Sequence, residues 1–139
     1  MAGLSLTAAK IRALTENGAV IRPYDAGEAL TVGNLVYVAS DGDVMKADAN
    51  ATQAAARAIG IVVQSFDGET TVANATPCSV CVFGPVAGFA SLTPGANGYV
   101  SDTAGQIEDA VATYDRIVGY AERTDVFFVH PEQNDPSSA

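Results

Sequence analysis

The sequence predicts a small all-β domain that contains two copies of one strand-turn-strand unit. The first copy begins at residues 30–38 (LTVGNLVYV) and the second at residues 92–100 (LTPGANGYV), with Leu, Thr, Gly, Tyr and Val at matching positions. Each copy continues through a Gly-containing turn to a β-branched residue and ends in an Arg-led strand, at residues 57–60 and 116–119. Two copies are too few for a solenoid or a propeller. Short strands, regular turn signals and little helix instead predict a pseudo-duplicated barrel or sandwich.

The length and composition predict a single domain that exposes more apolar surface than its own core can bury. The 139 residues are enough for one modest hydrophobic core. Hydrophobic residues make up 48% of the chain and charged residues only 17%, which is an apolar balance for a small protein. We expect part of this surface to face another subunit or a partner. The alternative is an ordinary Ala-rich surface.

The charge balance argues against binding to nucleic acid. Sixteen acidic residues face seven Lys and Arg, for a formal net charge of −9, and the seven basic residues are scattered along the sequence. Neutralising phosphates requires clustered basic residues. The sequence also shows neither the pattern of a secretion signal nor an apolar run of about 18 residues. We therefore expect synthesis in a cytoplasm, with no insertion into a membrane.

Residues 1–22 have two structural interpretations. They can form a short helix with Thr7 as N-cap and Gly18 as its end, or an arm that becomes ordered on a partner. A frayed terminus is the third possibility. An arm would have four apolar side chains to bury, and these are the candidate docking residues: Leu4, Leu6, Ile11 and Leu14.

Residues 23–130 are expected to form the β-domain, starting after a first strand at residues 19–22 that Pro23 ends. In the first unit, residues 35–39 are apolar on both faces, and the Asp-Gly turn at residues 40–43 predicts a hairpin with a return strand at residues 44–47. Residues 48–57 are expected to form a loop or one helical turn. A buried strand at residues 59–63 and a short strand at residues 70–72 follow.

The second half of the domain begins with a strand at residues 78–83 that Gly84 and Pro85 are expected to interrupt. It resumes at residues 86–90 and leads into the second unit. Residues 125–129 are expected to close the sheet. The polar segment 131–139 is predicted to be a flexible tail.

Cys78 and Cys81 are the one pair that suggests metal or redox chemistry. A zinc site needs four ligands, and the chain has no other Cys and only one His, His130. A redox CxxC normally begins a helix, where a thiolate is favoured, whereas this pair lies in a β-like run. We predict inert, buried cysteines, and no metal or cofactor.

Other catalytic patterns are weak. Two groups of acids, Asp41, Asp43 and Asp48, and Glu108 with Asp109, are expected to be solvated loop residues. Phosphate-binding and dinucleotide-binding motifs are not found in the sequence. Six aromatic residues are candidates for lining a sugar site but are interpreted as core residues: Tyr37, Tyr99, Tyr114, Tyr120, Phe127 and Phe128. We therefore predict that the protein is not an enzyme.

Residues 80–90 (VCVFGPVAGFA), followed by residues 92–101 (LTPGANGYVS), resemble the small capsid decoration, or cement, proteins of tailed bacteriophages. The Ala-rich segment 54–61 (AAARAIGI) matches the last part of that pattern, which covers about residues 25–129. The resemblance implies a β-tulip or similar small barrel that forms a homotrimer on the exterior of the expanded capsid. It also implies a structural virion protein that binds the major capsid protein and stabilises the head without catalysis. The alternative is a carbohydrate- or receptor-binding module of a phage fibre or spike.

Overall fold

The computed structural model describes residues 3–132 and 137–138, and nearly all of their regular structure is β. The helical residues form three 3₁₀ turns, Ala8–Lys10, Thr15–Asn17 and Ala54–Ala56, and no α-helix is found in these ranges. The prediction of a small all-β domain is therefore confirmed. The strands are β1 Ser5–Leu6, β2 Arg12–Ala13, β3 Val20–Asp25, β4 Leu30–Thr31, β5 Leu35–Val38, β6 Val44–Lys46, β7 Ala58–Ser65, β8 Thr71–Val72, β9 Pro77–Ala87, β10 Phe89–Ala90, β11 Asn97–Val100, β12 Ile107–Glu108, β13 Tyr114–Asp115, β14 Ile117–Ala121, β15 Val126–Val129 and β16 Ser137–Ser138.

The main sheet is a strongly curled half-barrel in the order β12-β11-β14-β15-β9-β7-β5-β6. Its central strand, β9, changes partners along its length. Residues 77–83 pair with β3, and most of them also pair with β7, whereas residues 84–87 pair with β15 and partly with β2. The change occurs at Gly84, whose φ of +109° lies in the region that favours glycine. The Gly-Pro break expected after Phe83 is thus a change of partner within one continuous strand.

The two sequence units form the two ends of this sheet with the same register. In the first unit β5 lies between β6 and β7, and in the second β11 lies between β12 and β14. A β-bulge falls at Val36/Tyr37 in one unit and at Gly98/Tyr99 in the other. Beside each bulge the strand faces a glycine of its neighbour. The sequence repeat at residues 30–38 and 92–100 therefore corresponds to a repeated backbone geometry.

Most predicted strands form; two segments differ from the prediction, and a third forms the single helical turn that was one of its two alternatives. The first strand continues through Pro23 to Asp25, because β3 pairs only with β9 and an edge strand tolerates a residue without an N–H. The segment at residues 125–129 is not an edge, since β15 lies between β14 and β9. In the segment 48–57, the 3₁₀ turn Ala54–Ala56 forms at its end.

The core lies inside the curl and draws on both units. Its largest fully buried side chains include Phe127, Leu35 and Ile61, with Val80 and Val86 from the shared strand β9. Of the segment 131–139, Pro131 is buried and β16 pairs with β13, while residues 133–136 and 139 lie outside the described residues. Among the described residues, no helical segment has the length and apolar character needed to cross a membrane.

Candidate interaction surfaces

The two cysteines are buried free thiols on β9. Cys78 pairs with Tyr24 of β3, and Cys81 pairs with Ile21 of the same strand. Burial raises the pKa of both thiols, and the nearby charge of Asp25 raises the pKa of Cys78 further. Both thiols therefore stay protonated, which is the opposite of what a nucleophile or a metal ligand requires.

The loop acids that the sequence singled out have structural partners. Asp41 Oδ1 accepts a hydrogen bond from the N–H of Asp43 at 3.0 Å, and Asp48 Oδ1 accepts one from the N–H of Asn50 at 2.8 Å. Both are local turn contacts. In the described part of the chain, no three His, Cys, Asp or Glu side chains come close enough to hold a metal ion.

Glu108 differs from these acids because it is buried, with 6% of its surface exposed. Ser101 Oγ, which is fully buried, donates a 2.6 Å hydrogen bond to Glu108 Oε1. Glu108 Oε2 has no hydrogen-bond partner among the described residues. The expectation of a solvated loop acid is therefore wrong for Glu108, because Ile107–Glu108 forms strand β12 against β11. A buried carboxylate with one partner depends strongly on that partner.

The six aromatic residues expected in the core have different environments: Phe127 is buried, Tyr120 is exposed, and the half-buried ones are Tyr37, Tyr99, Tyr114 and Phe128. Phe127 is 1% exposed, whereas Tyr120, expected in the core, is 36% exposed. Tyr120 stacks on Phe128 with ring centroids 5.2 Å apart, and Phe83 meets Phe128 edge-on at the same distance. His130 packs against the other side of Phe83 at 5.3 Å. We call these four residues the aromatic stripe; it crosses β9, β15 and β14 on the face opposite Phe127.

The N-terminal segment is neither an α-helix nor a separate arm in this structure. Residues 3–13 lie along strand edges of the same chain. The N–H of Leu4 donates to the carbonyl of Ile107 at 2.8 Å, and β1 pairs with β10 over only two residues. The N–H of Thr7 donates to the carbonyl of Gly88 at 3.0 Å, and β2 pairs with β9, again over two residues.

The four candidate docking residues have different environments. Ile11 and Leu14 are each 8% exposed, and Ile11 belongs to the main core cluster. Leu4 is partly buried against the core, and Leu6 is 36% exposed. The irregular spacing of these residues matches neither a helix nor a strand, because the segment alternates between 3₁₀ turns and two-residue strands. The structure therefore does not bring the four side chains together on one surface.

Two cavities lie against this segment. One, of about 600 Å³, is lined by residues 8–13 together with the far end of β7 and residues 68–70. The other, of about 520 Å³, is lined by residues 3–6 and by residues 31–34 of the first unit. Residues 3–13 are thus attached by short ladders and border two open clefts, while Ile11 and Ala13 are buried. Segments with few buried contacts are the ones that detach at least cost.

Comparison with models of known protein families, and with curated proteins, finds no match for the chain in either set.

Proposed function

We propose that the protein is a structural component of a phage virion that binds the outside of the capsid as a homotrimer and stabilises the expanded head. The observation that carries the proposal is the attachment of residues 3–13. Only two-residue ladders hold this segment along the strand edges, and two cavities adjoin it, so its attachment is weak. A segment held in this way can leave and add to a sheet of another protein through its main-chain hydrogen bonds.

The burial of the four apolar residues suggests how the segment would act. Ile11 and Leu14 are fixed in the core and would remain there. Leu4 and Leu6 precede this anchor and would turn outward to the major capsid protein. The proposed docking element is therefore the first part of the segment, and the rest of the domain stays folded when it moves.

Other features agree with a structural role on the exterior of the capsid. The net charge of −9 favours a protein surface over packaged nucleic acid as the partner. The cysteines and loop acids have structural explanations, so the proposal includes neither catalysis nor a cofactor. A small all-β domain is also what the resemblance to decoration proteins implies.

A reversible disulfide tests whether the segment must detach. Ser5 and Ala90 are exposed Cα partners in β1 and β10, at a spacing suited to a disulfide. We expect the Ser5→Cys/Ala90→Cys variant to lose at least tenfold in affinity for expanded, undecorated phage heads when oxidised. Addition of a reductant should restore binding, measured by cosedimentation with the heads.

The matched control places the same bond where no movement is proposed. Thr31 and Thr71 are exposed partners in β4 and β8, so Thr31→Cys/Thr71→Cys should bind heads equally well when oxidised or reduced. If the locked β1 variant also binds fully, the segment does not need to detach and this docking mechanism is wrong.

The aromatic stripe supports a second candidate, a carbohydrate-binding module. Exposed rings such as Tyr120 and Phe83 can stack on sugar rings, and His130 adds a polar group beside them. This function predicts glycan binding that Tyr120→Ala abolishes and that Tyr114→Ala, on the separate strand β13, leaves unchanged. Binding that is insensitive to Tyr120 would argue against a sugar site on the stripe.

A further inference from the structure

Phe66 is an unusual residue on the surface of this domain. It is 78% exposed, well above Val20 at 46%, which is the next most exposed large hydrophobic side chain among the described residues. It lies immediately after β7, in the turn that leads to β8. A single exposed apolar residue needs no explanation in general, but burial of this phenylalanine against another molecule would remove a large apolar area from water.

The turn that carries Phe66 is held in place by its own polar groups. Ser65 Oγ lies 2.9 Å from Asp67 Oδ1 and 2.6 Å from the carbonyl oxygen of Glu69. The N–H of Glu69 donates to Asp67 Oδ1 at 3.1 Å. This N–H, and then the Ser65 hydroxyl, lower the pKa of Asp67, so its carboxylate stays ionised. The turn is thus preorganised, which reduces the entropy lost when Phe66 is buried by a partner.

A complementary pocket lies at the other end of β7. This cavity of about 370 Å³ is lined by Ala58 and Ile59 from the start of β7, Val82 of β9, Tyr24 of β3 and Pro131, with Arg22 and Arg116. Its lining combines apolar and polar groups, and its volume is large enough for one aromatic side chain. Phe66 lies about 23 Å away along the eight-residue strand, so it does not reach the pocket of its own chain.

Acids follow Phe66 directly and arginines lie at the pocket, while Lys10 and Arg12 line the cleft beside Glu69. Phe66 is followed by the exposed acids Asp67 and Glu69. The pocket carries two of the chain's seven basic residues: Arg22 is exposed, and Arg116 is buried with its Nη2 donating to the carbonyl of Ala58 at 3.2 Å. A guanidinium group at such a pocket can also contact the face of an aromatic ring. The acids beside Phe66 and the arginines of the pocket can therefore attract each other when two copies of the chain meet.

We propose that Phe66 of one copy inserts into the Arg22–Tyr24–Val82 pocket of a second copy. The contact joins different surfaces of the two chains, so repetition of it generates a ring when the rotation closes. The inference rests on the self-assembly in the proposed function, and it assigns the residues that would hold the trimer together. The turn supplies an aromatic side chain, and the pocket of the second copy buries it. Aromatic residues buried in this way are typical of the centres of protein interfaces.

The first experiment removes the anchor. In light scattering across a concentration series, the wild-type chain should reach three times its 14.2 kDa mass. Phe66→Ser should weaken assembly by about a hundredfold, the loss typical of an aromatic anchor at an interface. Val38→Ser, which removes another exposed apolar side chain on β5, should assemble as the wild type does. A wild-type chain that stays monomeric, or a Phe66→Ser variant that assembles normally, would overturn the proposal.

The second experiment tests the pairing of the turn with the pocket. Glu69→Arg and Arg22→Glu should each weaken assembly about tenfold, because each places like charges across the contact. The combined variant reverses both charges and should recover most of the assembly. Additive loss in the combined variant would show that Glu69 and Arg22 do not face each other, and would refute this arrangement.

The measurements separate this inference from the proposed function, because they use no capsid. A ring that depends on Phe66 but does not bind heads would leave the inference standing and refute capsid decoration. Assembly that is independent of Phe66, together with tight binding to heads, would give the opposite result.

Discussion

Replacing Gly60 or Gly119 with alanine is expected to destabilise the domain by about 4 kcal/mol, a large share of the stability of a protein of this size. A Cβ at Gly60 would collide with the carbonyl oxygen of Cys81 on β9. A Cβ at Gly119 would collide with the carbonyl oxygen of Phe128 on β15. In both cases the obstacle is the backbone of a paired strand, which cannot move without breaking the ladder.

Urea denaturation of the two variants provides the measurement, and Gly42→Ala is the control. Gly42 has a φ of +92° but open space around its Cβ position, so alanine there should cost only the about 1–2 kcal/mol of a left-handed backbone. Both units should be strongly destabilised, because Gly60 and Gly119 lie at matching positions beside the two bulges, and Gly119 also has a φ of +154° that alanine rarely adopts. A loss no larger than that of Gly42→Ala at either position would contradict the described strand spacing.

Replacing Ser101 with alanine is expected to cost about 3 kcal/mol, because a charged hydrogen bond is lost and a buried carboxylate is left without a partner. Ser101 Oγ is the described partner of Glu108 Oε1, and Ser101 Oγ also accepts the N–H of Thr103 at 2.8 Å. The single change therefore affects two contacts at the hairpin that joins β11 to β12. Thermal and urea unfolding of the variant measure the loss.

A double variant separates the cost of the charge from the loss of the side chain. Ser101→Ala/Glu108→Met removes both polar partners and keeps the volume of the buried residue 108. Apolar replacement of both partners of a buried bond is often close to neutral, so the double variant should be more stable than Ser101→Ala. A double variant that is less stable than the single one would show that Glu108 has a further stabilising contact.

The duplicated unit could be predicted from the sequence because its signals are local. Turn glycines such as Gly42 and Gly105 have positive φ values, which few other residues adopt, so both copies retain them. Strand alternation within each unit is also local. The prediction therefore located the strands and turns of both units and the buried strand β7.

The arrangement of β9 and of the N-terminal segment could not be predicted in the same way. β9 pairs with β2 and β3 from the start of the chain and with β15 from near its end. Such long-range choices depend on how the whole sheet curls, and neither local propensity nor periodicity specifies them. The same limit applies to residues 3–13, whose short strands form only because β9 and β10 offer edges.

The exposed aromatic residues show a second limit. The sequence places Tyr120 in a strand and predicts that it is a core residue, since aromatic side chains in strands are usually buried. No sequence pattern marks Phe66 as an exposed residue. Exposure of an aromatic ring depends on which face of the sheet is covered. The sequence of one chain does not show which face a partner molecule would cover.

The most direct test of the proposed function is the amount of wild-type chain bound to expanded, undecorated phage heads as its concentration rises. Cosedimentation followed by quantification of the bound chain gives both the affinity and the stoichiometry. The proposal predicts saturable binding with a number of chains per head that is a multiple of three. Absence of binding at micromolar concentration, or a bound amount that rises without saturation, would contradict a role in capsid decoration.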